Sequence, residues 1–281
     1  MNYKDCFTMG EMRLVEAQIE EASLDARLLL EYICGTNRSD LIVHGDREVT
    51  AEQEAWYRDA IAKRASRIPL QHITGEQGFM GLTFRVNENV LIPRQDTEVL
   101  VEEVMRDMMD GMRILDMCTG SGCILISLLH YSNDCEGVGV DLSSDALEVA
   151  RDNASRILTE KCSYTFVESN LFECVEGVFD VIVSNPPYIR TDVIDTLMPE
   201  VREHEPMMAL DGEADGLAFY RRIVEDSKRF LRREGRLYFE IGHDQGEAVE
   251  NLLRTHGFKD TKTIKDLAGN DRVVCGRWQT V

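Results

Sequence analysis

The segment Ser184-Asn185-Pro186-Pro187-Tyr188 ends an apolar, strand-like run, Val181 to Val183. Two consecutive prolines fix φ and remove two backbone donors. Pro186 also biases Asn185 away from helical geometry. What remains is a stiff loop rich in acceptors, chiefly the Asn185 side-chain carbonyl and the Pro186 backbone carbonyl. Two fixed acceptors match the two donors of a planar NH2 group. Such a nitrogen is a poor nucleophile because its lone pair is delocalised. Acceptors set slightly off its plane favour pyramidal geometry and the charge that builds on nitrogen as it attacks. A sulfonium methyl held in line would supply the electrophile, and orientation much of the rate. The Tyr188 ring can pack on the flat substrate group. Asn185, Pro186 and Tyr188 are thus the candidate catalytic residues, and Asn185, Pro186, Pro187 and Tyr188 the candidate substrate-binding ones. A rigid loop with a surface Asn would account for Pro-Pro alone, but not for its company in the chain.

That company begins with Asp116-Met117-Cys118-Thr119-Gly120-Ser121-Gly122, between a strand-like and a helix-like run. Glycines there permit a tight turn and close approach to a ligand. The turn lacks the Gly-Lys-Ser/Thr of a P-loop, and Leu125 stands where a dinucleotide fingerprint has its third glycine. Asp141 ends the next strand-like run, about 20 residues on, where a carboxylate can accept from a ribose diol. Turn and Asp together indicate an adenosine-type ligand without separating a nicotinamide dinucleotide from S-adenosylmethionine. The Asn-Pro-Pro-Tyr loop favours the methyl donor. Its chemistry alone leaves a side-chain amide and a nucleobase amine equally open.

The elements that must position these residues are legible in outline. Residues 11–65 read as helical, with one helix across "AQIEEASLDARLLLEYICG" closed by Gly35, and another opened by Thr50 and Gln53 as a capping box. "GFMGLTFRV" reads as a β-hairpin. From Thr97 helix and strand alternate: the strand-like runs are "MRILDM", "GVGVDL", "SYTFVES", "FDVIVS", "GRLYFEI" and "DRVVCGRW". A helix capped by Ser144 follows "GVGVDL". This alternation predicts an α/β fold, a doubly wound, mostly parallel sheet covered on both faces. Its ligand crevice lies beyond the carboxyl ends of the strands, with the fourth strand beside the first.

The 281 residues suggest about two domains. A composition 43% hydrophobic and 29% charged is that of a globular protein. No apolar stretch approaches the ~20 residues of a membrane span, and the first 21 residues carry acids where a signal peptide would be apolar. A cytoplasmic location is expected. The eight cysteines form no C-x-x-C pair, so no metal site is expected and reduced thiols are the simpler reading. A net charge of −20 argues against direct binding of nucleic acid, whose affinity rests on Lys and Arg.

The chain resembles the release factor glutamine methyltransferases, the PrmC/HemK family of class I S-adenosylmethionine-dependent enzymes. The resemblance spans nearly the whole length, through "RIPLQHITGEQGFMGLTFRVNENVLIPRQDTE", "ILDMCTGSGCI", "GVDLSSDALEVARDNA", "SNPPYI", "EVREHEPMMALDGEADGLAFYRRI", "YFEIGHDQGEAV" and "AGNDRVV". It implies a seven-stranded Rossmann-like methyltransferase domain, residues 93–281. Ahead of it come a helical substrate-binding domain, residues 1–70, and a β-hairpin linker, residues 71–92. The implied activity is N5-methylation of the glutamine in the GGQ motif of peptide chain release factors. The alternative is a DNA or RNA amino-methyltransferase acting on adenine N6, cytosine N4 or guanine N2. The implied cofactor site covers Cys118, Thr119, Gly120, Ser121 and Gly122, then Asp141, Leu171 and Asn185. Four residues depart from the family pattern. Cys118 replaces a glycine, Gln95 a proline, and Asn170-Leu171 an Asp and often an aromatic residue beside adenine.

Other charged residues are ambiguous. Arg94, Asp96 and Glu98 either close over the cofactor or cap a helix, with Asp96 or Thr97 as N-cap. Glu203, His204 and Glu205 read as a solvated charge run. Phe79, Met80 and Leu82 read as hairpin core, and His72 as structural.

Overall fold

A computed structural model describes residues 1–279, so the last two of the 93–281 segment lie outside the described residues. The chain divides into two compact units. One comprises Met1–Glu76 together with Met198–His204; the other comprises Gln77–Leu197 and the chain from Glu205 onward.

The first unit is helical: α1 (Tyr3–Glu16), α2 (Ala22–Cys34), α3 (Arg38–Val43), α4 (Ala51–Ala65) and α5 (Leu70–Thr74). Helical spacing of apolar residues places Leu14, Ala26, Leu29, Leu30, Ile33, Tyr57 and Ile61 in one core. The sequence predicts one helix across residues 17–34; the structure breaks it. Ala17 caps α1 and Gln18 turns back at φ +56, a residue outside the helical basin. Gly35 ends α2 in the left-handed conformation, and the Thr50–Gln53 capping box on α4 is complete, both as predicted. Arg64 of α4 is buried between two carboxylates, donating from Nε to Asp25 at 2.7 Å and from Nη1 to Glu200 at 3.0 Å.

The second unit opens with the predicted hairpin, β1 (Glu76–Phe79) and β2 (Leu82–Arg85), turned by Met80 and Gly81, both at positive φ. A 3-10 turn, Gln95–Thr97, leads into α6 (Glu98–Asp107). Then come β3 (Arg113–Met117), α7 (Cys123–His130), β4 (Glu136–Asp141), α8 (Ser144–Ile157), β5 (Ser163–Glu168) and β6 (Phe179–Ser184). Short helices α9 (Thr191–Ile194), α10 (Pro199–His204, counted with the first unit) and α11 (Met207–Leu210) precede α12 (Ala218–Ser227). The chain continues through β7 (Leu231–Glu240), α13 (Gly246–Thr255), β8 (Lys259–Lys265) and β9 (Asp271–Arg277). No described helix is long and apolar enough to cross a membrane.

The sheet order is β5-β4-β3-β6-β7-β9-β8, parallel except at β9. This is the predicted doubly wound, seven-stranded fold. Its strands alternate between two buried faces: Ile114, Val181 and Val183 join one core, Leu115, Met117 and Ile182 the other. The seventh strand, β8, has no apolar run in the sequence. It is an edge strand, KDTKTIK, and lysines on an edge discourage pairing with another chain. The order reverses between β3 and β6, whose last residues, Met117 and Ser184, lie side by side in register. Residues following both strands therefore meet at one crevice, and the glycine turn and the Asn-Pro-Pro-Tyr loop are those residues.

Candidate active site

A cavity of about 520 Å³ opens at the carboxyl ends of β3, β4 and β6. Its wall includes Cys118, Thr119, Gly120, Ser121, Asp141, Leu171, Asn185 and Pro187. Gly122, Pro186 and Tyr188 are not on that wall. Arg94 and Thr97 contribute from the 3-10 turn, and Pro206, Met207 and Met208 from the segment around α11.

The turn after β3 is held from below. Asp116, fully buried at the end of β3, accepts from the Thr119 hydroxyl at 2.6 Å and from the Leu125 amide at 3.3 Å. Burial pushes its carboxyl up to about 7; those hydrogen bonds oppose the rise, and the nearby Asp141 charge adds to it. The Thr119 amide donates to the Val140 carbonyl at 2.9 Å, which ties the turn to the neighbouring strand. Cys118 sits at φ +62, in the left-handed region that disfavours a Cβ. The turn thus keeps a glycine-like path with a cysteine in it. Gly122, at φ +78, is the N-cap of α7, and a Cβ there would meet Ile126 Cδ1 at 2.8 Å and Ala150 Cβ at 3.2 Å. Gly122 therefore packs helix against helix rather than facing the cavity.

Asp141 ends β4 and lines the cavity. Its Oδ2 accepts from the Gly120 amide at 2.8 Å and its Oδ1 from the Ser143 amide at 3.0 Å. Burial raises its pKa against these bonds. Each oxygen keeps a further lone pair for a ligand donor. Ser143, not Ser144, caps α8, accepting from the Ala146 amide at 3.1 Å. The two neighbouring serines are chemically alike, and only the backbone path selects between them. Beside Asp141, Leu171 is buried at φ +52. The Asn170 side chain is engaged at both ends, accepting from Arg222 at 2.9 Å and donating to Glu173 at 2.7 Å.

On β6, the Ser184 hydroxyl donates to the Met117 carbonyl at 2.6 Å, clamping the two strand ends together. Asn185 follows, half-buried, its amide making no hydrogen bond with another described residue. An amide on a cavity wall with no partner among the described residues is equipped to bind a ligand. Pro186 and Pro187 are buried. The Tyr188 ring packs against the apolar core beneath the loop and its hydroxyl reaches Glu240 at 3.4 Å.

Several charged residues differ from the sequence expectation. Glu205 is not a solvated charge. Its side chain is 1% exposed and accepts from Arg94 at 2.7 Å through both oxygens. Burial raises its pKa, and Arg94 opposes the rise. Thr97 is the N-cap residue of α6, one of the two expected, though its side chain makes no capping bond. Asp96 instead pairs with Arg272 at 3.0 Å, and Glu98 accepts from the Met80 amide at 2.6 Å, tying α6 to the hairpin turn. The spacing Arg94-Glu205 across 111 residues carries no local signal, so Glu205 is invisible to sequence patterning. Glu240, deeply buried at the end of β7, lies within the segment "YFEIGHDQGEAV", but nothing local in that segment marks its burial. Phe79 lies in the core with Met80 and Leu82 against it, as predicted. Among the described residues no three His, Cys, Asp or Glu side chains gather as a metal site would require.

Comparison with known proteins converges on the same architecture. Residues 5–75 match the model of the PrmC N-terminal domain, and residues 94–201 that of the methyltransferase small domain. A release factor glutamine methyltransferase of Caulobacter vibrioides is 44% identical over 272 residues, covering 96% of this chain and 94% of the relative. One from Geobacter sulfurreducens is 44% identical over 265 residues, covering 94% of this chain and 92% of the relative. Among solved structures, a methyltransferase from Pyrococcus furiosus superposes with a TM-score of 0.53 at 17% identity, over 82% of this chain and all of that one. That likeness speaks to the fold. The sequence identities, sustained over nearly full length on both sides, go further: the chain belongs to the release factor glutamine methyltransferase family.

Proposed function

We propose that this protein transfers a methyl group from S-adenosylmethionine to the side-chain amide nitrogen of the glutamine in the GGQ motif of peptide chain release factors, in the cytoplasm. The observation that carries the reading is the uncommitted Asn185 amide on the cavity wall, beside the turn that follows β3, in a chain of this family. The cavity suits the cofactor: it falls within the ~300–1,000 Å³ of small-molecule sites. It presents Asp141 with spare acceptor capacity for a ribose diol, backbone groups from Cys118 to Ser121, and apolar Leu171 for a flat base. Gly122 serves the same site from behind, by letting α7 approach α8. Bound there, the cofactor supplies an electrophilic methyl on a sulfonium.

The protein's own part is to hold the amide. Asn185 Oδ1 and the Pro186 carbonyl accept its two hydrogens and favour pyramidal nitrogen, while Pro187 keeps the loop from relaxing. The product amide is strongly acidic until it sheds a proton, so no strong base is needed. Tyr188 fixes the loop's end from beneath. Residues 1–70 form the helical domain that grips the release factor, and residues 71–92 the hairpin that links it to the methyltransferase domain, residues 93–281.

The test is mass mapping of a release factor incubated with labelled cofactor and either the wild-type protein or Asn185→Ala. Label on the GGQ glutamine, lost with Asn185→Ala, is expected. Label in DNA or RNA and none in the release factor would favour the nucleobase amine as acceptor. Full activity of Asn185→Ala would remove Asn185 from the mechanism.

A further inference from the structure

Tyr188 is stationed oddly for a residue that only contacts substrate. Its ring faces the core, and its hydroxyl points at a carboxyl group sealed under the loop. Glu240 is 2% exposed and absent from the cavity wall. It ends β7, the neighbour of β6, where Phe239 pairs with Ser184 in register. Glu240 therefore underlies the residues that follow Ser184. Its Oε1 accepts from the Tyr188 hydroxyl at 3.4 Å, a long bond. Its Oε2 has no hydrogen-bond partner among the described residues, nor does the buried Nε of Arg272 nearby. A buried, half-used carboxyl needs a reason to be there, because burial disfavours it.

The rest of Tyr188 is held as tightly. Gln245 Nε2 donates to its carbonyl at 3.0 Å. Gln245 Oε1 accepts from the Gly242 amide at 3.0 Å and from the Tyr220 hydroxyl at 3.3 Å. Glycines face its main chain: a Cβ on Gly212 would lie 2.7 Å from Tyr188 Cα, and one on Gly216 only 2.4 Å from its carbonyl oxygen. With the main chain so enclosed, ring and loop move together. Two residues upstream are the Pro186 carbonyl and, next to it, Asn185.

We propose that Glu240 is a positioning residue that sets the Asn185-to-Tyr188 loop by holding the Tyr188 hydroxyl from beneath. Arg272, anchored by Asp96 at 3.0 Å and Asp266 at 3.2 Å, backs the carboxyl. The inference rests on the proposed reaction for its kinetic consequence and on geometry alone for its structural one. The test uses the full chain with Glu240→Met, Glu240→Gln, Tyr188→Phe and the Glu240→Met/Tyr188→Phe double variant. Amide exchange at Tyr188–Arg190, read by mass spectrometry on the free protein, requires no activity. It should quicken about tenfold in Glu240→Met and stay near wild type in Glu240→Gln, which keeps an acceptor oxygen. With labelled cofactor and a release factor, kcat should fall about tenfold in Glu240→Met with KM for the cofactor within about twofold, and Glu240→Gln should restore most of it. In the Tyr188→Phe background the Glu240→Met change should add less than about twofold, because the two share one interaction. Unchanged exchange in Glu240→Met, or its full kinetic loss on top of Tyr188→Phe, would overturn the proposal. If the wild-type protein leaves the release factor unlabelled, the reaction assignment fails, and the exchange result still decides the role of Glu240.

Discussion

Replacing Asp116 by Asn should change the protein's stability by an amount that depends on pH in a defined direction. Asp116 is fully buried, and burial pushes its carboxyl up to about 7, whereas an unfolded Asp titrates near ~3.9. The folded protein thus holds the proton more tightly than the unfolded chain. For an acid this means that folding is favoured at low pH and that the advantage is lost as pH rises through about 7. The full span is about 4 kcal/mol, and the part recovered between pH 8 and pH 6 is about 1.4 kcal/mol. Asn does not titrate. The stability difference between wild type and Asp116→Asn should therefore move by about 1.4 kcal/mol in favour of wild type on going from pH 8 to pH 6, or about 3–6 °C in the melting midpoint. Other groups titrate in this range, Glu240 among them, with its carboxyl also pushed up to about 7 by burial. Their contributions are common to both proteins and cancel in the difference. Thermal unfolding of both proteins at half-unit pH steps measures it. Parallel curves would refute the argument and mean that Asp116 remains ionised in the folded protein, with its unpartnered Oδ1 solvated.

Three further outcomes follow from particular contacts. Gly122→Ala places a Cβ 2.8 Å from Ile126 at φ +78 and should lower stability by roughly 1–3 kcal/mol; an unshifted melting midpoint would show that α7 and α8 yield easily. Arg64→Met leaves Asp25 buried without its guanidinium and Glu200 with Arg67 alone, and should destabilise the helical unit by about 3 kcal/mol in urea unfolding; adding Asp25→Asn with Glu200→Gln should recover most of that. If the charges are not the cause, the triple variant will be no more stable than the single one. Asp141→Ala should weaken binding of S-adenosylhomocysteine roughly 10–100-fold by calorimetry, through lost acceptors and a loosened Gly120 amide; undiminished affinity would place the ribose elsewhere.

Much of this molecule is legible in its sequence, because the informative features are local. A capping box spans four residues, a two-residue hairpin turn six, and a strand-turn-helix ligand loop about ten. Each carries its own chemistry, and alternation of helix and strand orders them into one topology. What escaped has a common physical cause. β8 gains its place from a partner strand, not from its own apolar content. The break at Gln18 depends on how α1 and α2 pack, since the sequence there is helix-compatible throughout. Glu205 and Glu240 resemble solvated acids in the sequence. Their burial is decided by partners 111 residues away at Arg94 and 52 away at Tyr188.

Those hidden carboxyls bear on how such a site works. Asp116, Asp141, Glu205 and Glu240 surround the cavity from four directions in the chain, each with its pKa raised by burial. Only Asp141 lines the cavity; Asp116, Glu205 and Glu240 each hold something that does, or that leads to it. Asp116 grips Thr119, Glu205 grips Arg94, and Glu240 grips the Tyr188 end of the Asn185 loop. A methyl transfer from a sulfonium to an amide needs acceptors in fixed places more than it needs a strong base, and the placement must survive substrate exchange. Side chains on a flexible surface would have to be ordered anew in each cycle. Anchoring the loops to buried carboxyls settles that ordering during folding instead, at a stability cost that for Asp116 and Glu240 builds up as pH rises from the ordinary carboxylate range to about 7. The same arrangement explains why the recognisable motif is the acceptor loop: Asn185 to Tyr188 are contiguous in sequence, and the carboxyls that hold this loop and its neighbours still are not.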